Sequence, residues 1–228
     1  MPSLAIAPPP ILHEGDRMDT AEFISRWEAM PDLKHAELLN GTVFMSSPVA
    51  LDHGAYHTDI GGLFSYYTAH TEGCDCGADS TWLMGPSDSP QPDVFLRLLP
   101  SHGGQSRNEG KYAGGAPELI AEVSGSSLSR DHGVKLELYQ RCGVREYITI
   151  ELPTRTIVWR QLVRGKYHPI QPDVDGLLRS RAFPGLWIDP ESLWKRQWPA
   201  AVQRGLASPE HAAFVKKLAA AAVRKARR

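Results

Sequence analysis

The chain has 228 residues, enough for one domain with a sizeable core, and its 42% hydrophobic and 22% charged residues are ordinary for a globular protein. Formal net charge is −1, yet residues 204–228 hold seven basic residues and one acid against 18 and 25 in the remainder, so the body carries about −7 and a broad basic nucleic-acid footprint is excluded, though not a local groove. No apolar run approaches the roughly 20 residues of a membrane span, and three cysteines (Cys74, Cys76, Cys142) do not make a disulfide framework, which suits a reducing cytoplasm.

Residues 1–18 read as a loose, proline-containing arm; "MPSLAIAPPPILHEGD" has neither the basic start nor the unbroken apolar stretch of a signal peptide. Asp19 followed by Glu22 predicts a helix start, with Phe23, Ile24 and Trp27 as its apolar side. In "HAELLNGTVFMS" two β-prone runs flank Asn40-Gly41, a strong hairpin signal. A helix is predicted from about Asp52 to His70, with Tyr56, Ile60, Leu63, Phe64 and Tyr67 at helical spacing and Gly61-Gly62 weakening its middle. Strands follow around 78–84 and 93–98, separated by the turn-rich "GPSDSPQP". The segment "PSHGGQSRNEGKYAGGA" is too glycine-rich for an element and reads as a mobile loop near the strand ends.

"PELIAEVS" then reads as a strand, followed by a helix from about Arg130 to Cys142 that Gly143 stops. "REYITIEL" and "TIVWRQLV" are two further strands about Pro153-Thr154. A weaker β run, "FPGLWID" and a short helix at 190–198 complete a body spanning 19–198. Residues 199–228 form a basic helical tail in which Ser208-Pro209-Glu210 caps a helix striped by Phe214, Leu218 and Ala222. Strand, helix and strand between 117 and 151 predict a crossover onto a mixed sheet, an α/β arrangement.

Within that apolar strand, Glu122 lies between Ala121 and Val123. A buried carboxylate costs several kcal/mol unless it is paired, protonated or holding a metal. Pro92-Asp93 opens another strand and Lys135 follows on the next helix. Two carboxylates on adjacent strands suit Mg²⁺, which takes a few carboxylates and keeps several waters. A lysine beside them offsets their charge and orients or activates an attacking water, the set that phosphodiester hydrolysis needs.

"QPDV", "PELIAEVSGSS" and "SRDHGVKLELYQRCGVREYITIE", with "ELLNGTVFMSSP", a downstream His53 and the late "FPGLWID", form an ordered set. From about His35 to Trp194 the chain resembles the Uma2 family of restriction-endonuclease-like proteins, within the PD-(D/E)XK nuclease superfamily. The resemblance implies a restriction-endonuclease-like α/β (α+β) core, with a mixed central sheet flanked by helices. It also implies Mg²⁺-dependent DNA cleavage, with Mn²⁺ able to substitute. Asp93 and Glu122, helped by the carbonyl of Val123, would bind the metal. The superfamily places its lysine two residues after the glutamate, where this chain has Ser124. The resemblance points instead to a lysine moved onto the helix, Lys135, and the "SGSS" run departs from the family's usual leucine-serine-proline.

Other residues keep two readings. Glu37 matches an acidic position of the family and either orients the lysine or a water, or is a hairpin acid. His53 and His57, four apart, have zinc-binding spacing but lack a clear third ligand, and His53 serves the nuclease site otherwise. Cys74 and Cys76 beside His70 improve the zinc reading slightly, but alternate strand residues face opposite sides. Tyr139, one turn after Lys135, bonds the amine or packs in the core. Trp159, Trp187, Trp194 and Trp198 read as core or dimer surface rather than base-stacking platforms, which leaves a homodimer open. The basic tail is a partner helix, a DNA-contacting arm or a solubilising end. The rival to a cytoplasmic DNA endonuclease is a non-catalytic nucleic-acid-binding or interaction module of the same fold.

Overall fold

The computed structural model describes residues 10–226; the first half of the expected N-terminal arm, residues 1–9, lies outside the described residues. In chain order the elements are α1 (Thr20–Glu28), β1 (Ala36–Leu39), β2 (Thr42–Met45), α2 (Leu51–Ala69), β3 (Cys74–Ala78), β4 (Trp82–Leu83) and β5 (Val94–Leu98). There follow β6 (Arg107–Glu109), β7 (Tyr112–Gly114), β8 (Leu119–Ser124), α3 (Leu128–His132), α4 (Val134–Cys142), β9 (Glu146–Glu151), β10 (Thr156–Val163) and β11 (Lys166–Pro169). The chain ends through β12 (Leu178–Arg179), β13 (Trp187–Ile188), α5 (Pro190–Trp194), α6 (Pro199–Leu206) and α7 (Pro209–Ala226).

The central sheet has the order β11-β10-β9-β8-β5-β3. Only β8 and β9 run parallel, joined by α3 and α4, and the other neighbours are antiparallel. The alternation of β8 decides the site. Leu119 and Ala121 face the core beneath α2, among Ile60, Leu63, Phe64 and Tyr67. Ile120 faces the α4 side with Leu138, Tyr139 and Tyr147. Glu122 and Ser124, two and four residues further on, therefore also point toward α4. Both faces of the sheet are covered, so neither side chain meets bulk water.

Several local signals act as read. Asn40 and Gly41 have φ of 51° and 72°, the left-handed pair that a two-residue hairpin turn needs. The Gly61-Gly62 pair, read as a weak point, does not interrupt α2, and Gly62 instead lets the indole of Trp198 approach closely, since a Cβ there would stand 3.2 Å from Cζ2. Three expectations change. The glycine-rich segment after β5 is a hairpin, β6 with β7, whose β7 pairs in parallel with β4. The single helix expected over 130–142 is two, broken at Gly133, where a Cβ would meet Ser129 O at 2.8 Å. Residues 10–18 are not loose, because Leu12 is buried against Phe23, Leu38 and Val43, and the N–H of Gly15 donates to Val43 O at 2.9 Å. The tail also belongs to the body: α6 and α7 insert Val202, Phe214 and Leu218 into the main core. Among the described residues, no helix is long and apolar enough to cross a membrane.

Two acids are buried at the start of β8 and β9. Glu118 accepts from the N–H groups of Leu98 (2.8 Å) and Gln105 (3.0 Å). Glu146 accepts from Trp159 Nε1 (3.0 Å), Ser180 Oγ (2.7 Å) and the N–H groups of Arg181 (2.6 Å) and Ala182 (2.8 Å). Burial pushes both carboxyls up despite those donors. A raised folded-state pKa means the native chain binds a proton more tightly than the unfolded one. The contribution of Glu146 to stability is therefore fully present below the ordinary value of 4.5 and falls as pH rises through the raised one. Urea unfolding of Glu146→Gln should show the variant gaining on the parent between pH 4.5 and pH 7; a constant gap would mean Glu146 is ionised throughout.

Candidate active site

Strand β5 stops short of the end of β8: Val94 pairs with Ala121, and the ladder goes no further. The N–H of Val123 therefore lacks a backbone partner on that side, and Asp93 supplies one through Oδ2 at 2.7 Å. The N–H of Asp93 in turn lies 3.4 Å from Glu122 Oε2. The Pro92-Asp93 start of β5 thus sets the two carboxylates side by side on adjacent strands. Both line one cleft of about 670 Å³, together with Glu37, His53, Arg130 and Lys135.

Helix α4 supplies the cation. Lys135 and Tyr139 stand one turn apart and both reach Glu122 Oε1, at 3.0 Å and 2.7 Å. The same amine is 3.0 Å from Glu37 Oε1, which also accepts from the N–H of Gln91 at 2.8 Å. The side chains of Glu122 and Lys135 are 3% and 6% exposed, so this is a buried pair and not a surface contact. Burial acts to lower the Lys135 ammonium, but Glu122, Glu37, Asp131 and Asp93 together raise it, and it stays charged. Burial pushes the Glu122 carboxyl well above the ordinary range, with Lys135 opposing and Asp93 adding to the rise.

Asp93 has the opposite balance. Burial works against its charge, but His53, Lys135 and the Val123 N–H hold its carboxyl below the ordinary value. His53 Nε2 lies 3.5 Å from Asp93 Oδ2, and that contact raises the imidazole. His57 Nε2 donates instead to the Asp93 carbonyl at 2.7 Å, fixing the strand start. The histidine pair thus converges on Asp93. His57, Asp79 and Asp93 offer ligand atoms within 4.8 Å of one another, while Cys74 and Cys76 pack against the main core.

One residue escaped the sequence reading. Asp131 on α3 is 1% exposed, and its Oδ2 accepts from Ser124 Oγ (2.8 Å) and Ser127 Oγ (2.6 Å). Its Oδ1 is buried with no hydrogen-bond partner. The serine two residues after Glu122 is therefore committed to this aspartate. The signal available was Ser127 four residues before Asp131 at a helix start. The break at Gly133 separates the two helices, so α3 turns Asp131 toward Ser124 while α4 aims Lys135 at Glu122.

Three carboxyls (Glu37, Asp93 and Glu122) line the cleft beside one buried ammonium, while Asp131 lies behind its lining. That excess of acid in the cleft fits a site that takes a divalent cation. Arg130, 3.8 Å from Glu37 Oε2 and stacked over Phe44, is a further cation on the cleft wall.

Residues 20–191 match the family model Uma2, described as "Putative restriction endonuclease". A solved structure titled "a putative nuclease belonging to DUF820 from Anabaena variabilis ATCC 29413" is 14% identical, with a TM-score of 0.55, and the likeness covers 72% of this chain and 92% of that one. That likeness is one of fold. No curated protein matches the chain. With the family model spanning most of its length, from α1 to α5, this chain belongs to the Uma2 family of restriction-endonuclease-like proteins.

Proposed function

We propose that this protein is a Mg²⁺-dependent endonuclease that hydrolyses phosphodiester bonds of DNA. The observation that carries this reading is the convergence of Asp93, Glu122 and the Lys135 amine in one cleft of a nuclease-like fold. Asp93 and Glu122 would hold the ion, with the Val123 carbonyl as a third ligand. A divalent cation there supplies Lewis-acid polarisation of the phosphate and a more acidic water.

The chain's own groups do the rest. An ammonium has three donors; in Lys135 one faces Glu122 and one faces Glu37. The third is left for the attacking water in the cleft. Glu37 holds the amine in place, and its own position is fixed by the N–H of Gln91. His53 braces the Asp93 carboxylate. Nicking of supercoiled plasmid with Mg²⁺ or Mn²⁺ tests the reading, with Asp93→Ala as the blank. Activity in the parent and none in the blank is expected; equal cutting of an RNA substrate would move the substrate assignment away from DNA.

The commitment of Ser124 to Asp131 favours one rival, a binding module that kept the fold without the strand lysine. Mn²⁺ titration by calorimetry separates the two. The nuclease reading expects one ion per chain in the parent and at least tenfold weaker binding in Asp93→Ala. A parent that takes up no ion would sink it.

A further inference from the structure

A second cleft, of about 530 Å³, opens between α7 and the far end of the sheet, a size typical of small-molecule sites. Arg145 and Glu146 lie at the start of β9, whereas Glu122 pairs with Thr149, about 10 Å further along the strand. Glu146 also shares its face with Ile148 and Ile150, which pack beneath α2. The second cleft is thus at the opposite end and on the opposite face from the candidate active site.

Its floor is apolar, made by Phe214 and Leu218. Its rim is cationic, with Arg145, Arg181, Lys217 and Arg224 contributed by three separate segments. Lys217, Ala221 and Arg224 recur at the spacing of one helix face, and the small alanine leaves room between the two cations. The body carries about −7, so carboxylate partners are plentiful elsewhere. Even so, Arg145 finds a carboxylate only at 3.8 Å, in Glu118, and among the described residues the other three rim cations enter no ion pair. Glu146 lines the cleft but does not neutralise it, since both its oxygens are turned inward onto Trp159, Ser180 and the 181–182 backbone.

Four cations exceed what a single carboxylate would answer, and arginine forks match phosphate oxygens. An apolar floor beneath them suits a flat, weakly polar body, and the Gln161 amide beside it offers both donors and an acceptor. We propose that this cleft binds a nucleoside phosphate, with the phosphates on the Arg145, Arg181, Lys217 and Arg224 rim and the base over Phe214 and Leu218.

Calorimetry with adenosine diphosphate tests this in the full chain carrying Asp93→Ala, without divalent metal, so the readout is independent of cutting. One site per chain is expected, at least tenfold tighter than for adenosine or inorganic phosphate. Adding Lys217→Ala with Arg224→Ala should weaken it at least tenfold, and Arg181→Ala alone should weaken it measurably; all these side chains are exposed, so melting should not change. No saturable binding, or binding indifferent to these changes, would overturn the site. Phosphate binding as tightly as the nucleotide would overturn the base-binding floor. An oligonucleotide or an anionic vesicle binding where the nucleotide does not would overturn the choice of ligand.

Discussion

Lys135→Ala should lose plasmid nicking by about 10²–10³-fold or more, the usual cost of removing one group that answers charge in the transition state. The variant should still fold. Glu122 and Glu37 lose their common cation, but a carboxyl already pushed up by burial takes a proton instead of remaining charged. The stability deficit of the variant should accordingly grow from pH 5 to pH 8, as that proton becomes harder to hold. Ser124→Lys added to Lys135→Ala should recover part of the cutting. Ser124 is on the same face of β8 as Glu122, and a lysine there would find the Asp131 carboxylate that now accepts from the serine. Full recovery is not expected, because position 124 is completely buried and catalytic groups tolerate only small displacements. If Lys135→Ala cuts as well as the parent, its amine has no part in catalysis.

Glu146→Ala should be the most destabilising single change outside the candidate active site, at about 3–5 kcal/mol. It removes the shared acceptor of an indole N–H, a hydroxyl and two backbone N–H groups, and all four donors lose their partner at a position that is 0% exposed. For a chain of this size that is a fall in melting temperature of about 10 °C. A shift under about 2 °C would mean that water reaches the orphaned donors. The same change tests the architecture, since Glu146 ties β9 to the loop before β13, and that loop leads to the helices that close the core.

How much of this was legible in the sequence depended on whether the signal was local. The Asn40-Gly41 turn, the apolar stripe of α2 and the strand around Glu122 were plain, because each follows from a few neighbouring residues. The β6–β7 hairpin was not, because five glycines between 103 and 115 carry a loop signal that pairing with β4 overrides. The Gly133 break was hidden inside a segment with helical spacing on both sides. Of the candidate site, Asp93, Glu122 and Lys135, which the structure brings together, were legible only as an ordered set, since none stands out alone. Asp131 was missed because its importance comes from Ser124 across the α3 turn, and "SRDHG" reads as an exposed helix start. The packing of α7 was also obscured: its lysines and arginines dominate the composition, while His211, Phe214 and Leu218 mark the face that docks.

The pair of donors on Glu122 bears on which ion the cleft prefers. Lys135 and Tyr139 both occupy Oε1, so the carboxylate has a single oxygen, Oε2, to turn toward Asp93. Calcium favours six to eight oxygens and often takes both from one carboxylate, whereas magnesium accepts single oxygens and completes its shell with water. On the proposed metal assignment, a glutamate held to one-oxygen donation would select for the smaller ion, and Tyr139 would act as a discriminator as well as a core residue. Its hydroxyl holds the carboxylate from one side, and Tyr139→Phe should loosen that grip and make calcium a stronger competitor.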